Sequence, residues 1–165
     1  MKKIFITNGM ARSGKDTFAK IMNEFVPTLK YSSIDYIKYI AKECGWNGEK
    51  DEVSRKFLSD LKMLTTRFND LSFCKIQEQI INFYADTKHE VLLIDVREPA
   101  EIKKITDLYY GTKTILIRRD SVKNITSNDG DAGVYDYNYD FTIYNNGSID
   151  EFRNTISEFV NKNIL

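Results

Sequence analysis

Between a run of β-branched and aromatic residues and the first helical pattern of the chain stands Gly9-Met10-Ala11-Arg12-Ser13-Gly14-Lys15-Asp16-Thr17, with the spacing G-x-x-x-x-G-K. Two glycines five apart arise by chance at about one start position in two hundred when glycine is about 7% of residues. The lysine and the flanking elements remove most such coincidences. The preceding residues 3 to 8 read as a strand, and Thr17-Phe18-Ala19-Lys20-Ile21-Met22 opens a helix. A turn of this kind lets backbone N–H groups converge at a helix N-terminus, where the dipole adds positive potential, and sets a lysine beside them. Such a loop suits phosphate oxygens, and it restricts the chain to folds that pass from strand to helix at the edge of a sheet.

The remaining pattern agrees with that restriction. Leu29 to Ser32 reads as a second short strand, and Ile34, Ile37, Ile40 and Ala41 recur at helical spacing up to Gly45-Trp46-Asn47-Gly48. Val53, Phe57, Leu61, Leu64 and Phe68 form one amphipathic stripe, and Phe73, Ile76, Ile80 and Phe83 another. Val91 to Asp95 is a continuous apolar run closed by an acid, as in a parallel strand buried on both faces. Pro99 suits the first position of a helix through Ile102 and Ile105. Thr114 to Ile117 and Phe141 to Tyr144 are the last two strands. Ser148 with Glu151 forms a capping box ahead of a stripe of Ile149, Phe152, Ile156 and Phe159. Strands alternating with helices predict an α/β, three-layer architecture, a five-stranded and mostly parallel sheet with helices on both faces.

Composition narrows the function classes. The 165 residues fit one domain, 1–165, large enough for a core without staples. Lys+Arg and Asp+Glu both number 24, so no global basic field exists to hold a long nucleic acid or an anionic membrane. The longest apolar run, around Val91-Leu92-Leu93-Ile94, is far short of a membrane span of about 20 residues. With no export signal either, a cytoplasmic location is expected. Cys44, Cys74 and the single His89 supply no metal cluster or disulfide framework, and both cysteines are expected as reduced core residues.

Candidate chemistry lies at the predicted strand ends. In the loop, Gly9, Ala11, Arg12, Ser13, Gly14, Lys15, Asp16 and Thr17 are the candidate nucleotide-binding set, with Lys15 reaching the β/γ-phosphates of ATP. Asp16 stands where Ser or Thr normally ligates Mg²⁺, so either Asp16 holds the metal, directly or through water, or the hydroxyl role is lost. Asp95 closes a buried strand, the place of an acid that holds the Mg²⁺ water shell; the alternative is a cap for the helix that Pro99 begins. Val96 follows it, so no adjacent glutamate activates water, which favours transfer to a bound acceptor over hydrolysis. Arg97 lies at the sheet edge where α/β ligands bind, with a salt bridge to Glu101 as the alternative role. Arg118 and Arg119 follow the next strand and lead into a segment, about 119–139, that reads as a lid. Asp129-Gly130-Asp131 is read as turn chemistry, since the rest of a calcium loop is absent, and Tyr135, Tyr137 and Tyr139 as one packing face.

Arg12-Ser13-Gly14-Lys15-Asp16-Thr17 resembles the R-S-G-K-D-T loop of phage-type deoxynucleoside monophosphate kinases, with a related S-G-K-D loop in animal-type phosphomevalonate kinases. Ile94-Asp95-Val96-Arg97-Glu98-Pro99-Ala100-Glu101 is similar to the D-V-R-x-P-x-E segment of the same kinases. The resemblance implies the fold of the P-loop nucleoside monophosphate kinases, ATP and Mg²⁺ as cofactors, and a (deoxy)nucleoside monophosphate as phosphoryl acceptor. It also gives Arg97 the acceptor or transferring phosphoryl group, and gives Arg118 and Arg119 the charge that develops on it. The acceptor is expected within a helical region, about 34–88, where Lys38, Arg55 and Lys62 are candidate phosphate ligands; solvated helix charges are the alternative reading of each. Two other readings stay open: a kinase for another phosphorylated metabolite, such as phosphomevalonate or dephospho-coenzyme A, and a nucleotide-dependent binding or switch module. A guanine-type switch would want an N-K-x-D segment, which the sequence lacks.

Overall fold

The computed structural model describes residues 2–122 and 133–165. In chain order its elements are β1 (Lys3–Asn8), α1 (Lys15–Phe25), β2 (Thr28–Ser32), α2 (Asp35–Glu43), α3 (Glu52–Asn69) and α4 (Leu71–Ala85). They continue with β3 (Val91–Asp95), α5 (Pro99–Leu108), β4 (Lys113–Arg118), β5 (Phe141–Tyr144) and α6 (Ile149–Asn163). The chain divides into two compact units, one of residues up to Lys30 with Asp86–Leu165, the other Tyr31–Ala85.

The first unit is built on a sheet of order β2-β3-β1-β4-β5. β1 pairs in parallel with β3, Phe5 opposite Leu93, and with β4, Thr7 opposite Ile115; β4 pairs in parallel with β5. Parallel strands need crossovers, and right-handed ones fix which face each helix covers. The step from β1 outward to β2 and the step from β3 across β1 to β4 run in opposite directions, so α1 and α5 lie on opposite faces. Alternation along the strands confirms two cores. Phe5, Leu93, Ile115, Ile117 and Ile143 form one cluster with Phe18, Met22, Phe152, Ile156 and Phe159 of α1 and α6, knit by edge-to-face contacts of Phe159 with Phe5, Phe18 and Phe141. Ile4, Ile6, Leu92 and Ile94 turn to the other face and are equally buried, as are Ile102 and Ile105 of α5.

Caps explain several boundaries. The Ser148–Glu151 capping box is present, with Ser148 N–H donating to Glu151 Oε2 at 2.6 Å and Glu151 N–H to Ser148 Oγ at 3.3 Å. Pro99 occupies the first turn of α5. Asp140 fastens the start of β5 to β4, accepting from the Thr114 N–H and hydroxyl at 2.8 Å each.

In the second unit α2, α3 and α4 contact one another, and Ser72 Oγ donates to the Ser33 carbonyl at 3.0 Å. The α4 stripe behaves as expected, with Phe73, Ile76, Ile80 and Phe83 buried. The α3 stripe does not: Val53, Phe57, Leu64 and Phe68 are exposed, Phe68 by 85%, and of the α3 residues only Ser54 is buried. Periodicity reports that a helix has an apolar face, not what covers it. The cysteines also depart from expectation. Both are free but exposed, Cys44 just past the end of α2 and Cys74 in the first turn of α4.

Candidate functional site

The loop between β1 and α1 has the backbone a phosphate cradle requires. Gly9 and Gly14 take φ of 154° and 105°, and Arg12, between them, is itself left-handed at 67°. A Cβ on Gly9 would collide with the Ile117 carbonyl oxygen and with Ser13 Oγ, and one on Gly14 with the Asn145 amide, so close backbone approach as well as φ selects glycine. Gly14 begins α1 without any side-chain cap bond, which leaves the helix N-terminus open to an external anion. Ser13 Oγ is buried and has no hydrogen-bond partner, a cost normally met by a ligand or water. Lys15 lies back along the loop, donating to the Gly9 carbonyl and, at 3.2 Å, to the Met10 carbonyl. Open N-terminus, orphaned hydroxyl and lysine together fit a polyphosphate.

Polar residues at the ends of β1 and β3 brace this loop. Asn8 Oδ1 accepts from the Gly9 N–H at 2.8 Å, while its Nδ2 donates to the Arg97 carbonyl at 3.1 Å and to the Tyr139 hydroxyl at 2.7 Å. The Thr7 hydroxyl donates to Asp95 Oδ1. From the far side, Asn145 Nδ2 donates to the Ser13 carbonyl at 2.9 Å.

The two candidate metal ligands meet through a third residue. Lys30 Nζ, from edge strand β2, pairs with Asp16 and lies 2.9 Å from Asp95 Oδ2. The Lys30 hydrogen bond holds the Asp16 carboxyl below its ordinary value. Burial works to lower the Lys30 pKa, but the charges and hydrogen bonds of Asp95 and Asp16 outweigh it and raise the pKa overall. Among the described residues no group of three or more His, Cys, Asp or Glu gathers to hold a metal. Two carboxylates beside a phosphate loop still fit Mg²⁺, which keeps several waters and takes ligands from substrate phosphates.

The other candidates are less concentrated. Arg97 is half-buried just past β3, and Arg119 is exposed past β4. Arg118 is fixed locally, its Nε donating to Asp120 Oδ1 at 2.8 Å and its guanidinium 5.5 Å from the Tyr135 ring and 5.9 Å from that of Tyr144. Residues 123–132 of the lid-like segment, with Asp129-Gly130-Asp131, lie outside the described residues. Its described end, 133–139, is turn rather than strand; Tyr137 and Tyr139 pack edge to face with centroids 5.1 Å apart. In the second unit Lys38 lies 3.6 Å from Asp35, Lys62 Nζ donates to Ser33 Oγ at 3.4 Å, and Arg55 is exposed in the first turns of α3. That unit also carries a shallow groove lined by Tyr31, Tyr36, Tyr39, Lys75 and Glu78, with Lys75 Nζ 4.5 Å above the Tyr36 ring.

Lys30, Asn8 and Asn145 are absent from the set predicted from sequence. The last two carried a signal, since each is a polar residue at the carboxyl end of a strand, Asn8 of the buried β1 and Asn145 just past the edge strand β5, where ligands of α/β sheets collect. Lys30, inside a short edge strand, carried none.

No protein-family model matches the chain, and no curated protein does. Solved structures do, and they share its α/β fold, kinases among them. A dephospho-CoA kinase from Campylobacter jejuni superposes with a TM-score of 0.62 at 18% identity, over 98% of this chain and 97% of that one. The Thermus thermophilus protein TT1252 gives 0.58 at 13% identity over 99% of each chain. A sugar kinase from a Janibacter species gives 0.50 at 10% identity, over 98% and 94%. Among the described residues no helix is long and apolar enough to cross a membrane.

Proposed function

We propose that this protein transfers the γ-phosphoryl group of ATP to a small phosphorylated acceptor, of the (deoxy)nucleoside monophosphate class. The observation that carries the reading is the loop itself, where an uncapped helix N-terminus, the orphaned Ser13 hydroxyl and the Lys15 ammonium converge. The backbone of Gly9 to Gly14 cradles the polyphosphate, and Lys15 exchanges its carbonyl partners for phosphate oxygens as they arrive. Asp95, oriented by Thr7, and Asp16 are the residues that would hold Mg²⁺, which when bound neutralises charge on the β- and γ-oxygens. Arg97 serves the acceptor or the transferring phosphoryl group, the Arg118–Arg119 pair the charge that develops on the transferring group, and Lys38, Arg55 and Lys62 the acceptor phosphate.

The acceptor class rests on the resemblance of the two motifs and on the groove lined by Tyr31, Tyr36 and Tyr39, aromatic surface of the kind on which planar bases pack. A coupled ADP-release assay with ATP and a panel of nucleoside monophosphates, dephospho-coenzyme A and phosphomevalonate tests it. Turnover with one monophosphate is expected. Turnover with dephospho-coenzyme A or phosphomevalonate alone would move the acceptor class, and ADP release without acceptor would make the protein a hydrolase.

A further inference from the structure

Lys30 occupies a place in the charge arrangement that the proposed chemistry does not need. Its ammonium is shared between Asp16 and Asp95, the two acids proposed to hold the metal. The three groups differ in setting: the Asp16 side chain is 86% exposed and Asp95 only 14%, with Lys30 intermediate at 29%. Asp95 is therefore the fixed, half-enclosed acid, with Oδ1 taken by the Thr7 hydroxyl and Oδ2 by Lys30. A divalent cation approaching this pair meets an ammonium already seated on the oxygen it would ligate. It must break ion pairs that partial burial strengthens.

We propose, resting on the reading above, that Lys30 is the resident cation of the Asp16–Asp95 pair and keeps it closed to free divalent ions. Metal then enters only with a polyphosphate, whose negative charge gives the released ammonium a new partner. Asp16, Asp95 and Lys30 together sum to one net negative charge; without Lys30 the two carboxylates lose the cation that bridges them, Lys15 and Lys20 acting on Asp16 only through charge, and would attract a free divalent ion more strongly. Lys30 is thus a positioning residue that makes metal binding conditional on nucleotide.

The test titrates the full-length chain with Mn²⁺ in the absence of nucleotide, following free Mn²⁺ by electron paramagnetic resonance. Weak binding is expected for the wild type. Lys30→Met should tighten it by about tenfold or more at a single site, because an acid pair without its bridging cation replaces a bridged one. Lys30→Arg should stay near wild type, and the double variant Lys30→Met/Asp95→Asn should lose the gain. Lys20→Met is the control, since Lys20 also acts on Asp16 through charge yet makes no ion pair with it, and should leave the affinity near wild type. Circular dichroism checks folding, and Lys30→Gln carries the test if the methionine variant is not folded.

Unchanged Mn²⁺ affinity in the folded neutral variants would overturn the inference, as would an equal gain in Lys20→Met or a gain that survives Asp95→Asn. Calorimetry with ATP on the wild type separates this from the proposed function. If ATP binds and the lysine variants show no gain, only the present inference fails. If ATP does not bind but Lys30→Met gains the Mn²⁺ site, the closure of the acid pair by Lys30 stands, while its release by nucleotide fails together with the kinase reading.

Discussion

Asn145 reaches back 132 residues to donate from Nδ2 to the carbonyl of Ser13 at 2.9 Å, so the turn after β5 holds the floor of the phosphate loop. The same amide packs against the space a Gly14 side chain would need. Loop geometry is therefore set from both ends of the chain, by Asn8 at its entry and Asn145 beneath it. Asn145→Ala should cost about 1 kcal/mol of stability for the lost hydrogen bond. It should also weaken ATP binding about threefold to tenfold, since a loosened loop must be reordered by the ligand. Urea denaturation and calorimetry measure the two effects; a stability loss with unaltered ATP affinity would show that the loop keeps its shape without this contact.

On the proposed reading, Lys15→Ala removes the charge that would meet the β/γ-phosphates while leaving a cradle held by backbone. Transfer should fall by about a thousandfold or more, the scale of losing a transition-state charge contact. The loop's shape rests on the φ of Gly9 and Gly14 and on the Asn8 and Asn145 hydrogen bonds, so the circular dichroism spectrum should be unchanged. Turnover at the wild-type rate in the folded variant would remove the loop from the chemistry.

Tyr139 gives a prediction in pH. Burial, the largest cause, pushes its phenol up from 10.0 to about 12, although the hydrogen bond from Asn8 works the other way. The folded state thus favours the neutral phenol, which donates to the Val134 carbonyl at 2.8 Å and accepts from Asn8. A raised pKa contributes stability that is complete below pH 10 and is lost as pH rises toward about 12. Tyr139→Phe should be less stable than wild type at pH 8, and the gap should narrow by pH 11. Urea midpoints at both values check this, and a gap constant with pH would mean that Tyr139 titrates normally.

Asp95→Asn keeps the side chain's shape but removes its charge, so Thr7 retains an acceptor while Lys30 loses half of its ion pairing. On the proposed reading the magnesium concentration for half-maximal rate should rise about tenfold and the maximal rate should fall. A magnesium titration of initial rates decides it. An unchanged curve would leave Asp95 the plainer role of closing β3.

Much of this arrangement could be read from the chain alone because it depends on local chemistry. Phe141–Tyr144, the Ser148 box and the Pro99 start are each specified within a few residues, and Gly9 and Gly14 carry their φ requirement in their identity. What escaped depends on distant partners. Nothing in Thr28–Ser32 says that Lys30 will reach Asp16 and Asp95, because that contact follows from β2 lying next to β3 in the sheet. The α3 stripe shows the opposite failure. Its period is clear in Val53, Phe57, Leu64 and Phe68, yet those side chains are exposed, since burial is a property of neighbours and not of spacing.

The acceptor side gives the last prediction, at Arg55. It lies in the first turns of α3, behind an N-cap in which Asp51 Oδ1 accepts from the Ser54 N–H at 2.6 Å. A cation so near a helix N-terminus opposes the dipole, and alanine is the better helix former there. The attraction of Arg55 to the N-cap Asp51 four residues back offsets part of that cost, and both effects are small. If its fork serves the acceptor phosphate, Arg55→Ala should raise the acceptor KM about tenfold or more, the loss of a charged hydrogen bond of about 1.5–3 kcal/mol. ATP affinity measured without acceptor should be unchanged, and the melting temperature should be equal to wild type or slightly higher. Rates over an acceptor concentration series, calorimetry and a thermal melt supply the three readings. A fall in ATP affinity equal to the rise in KM, or an unaltered KM, would take Arg55 out of the acceptor site and leave Arg97 as its main phosphate ligand.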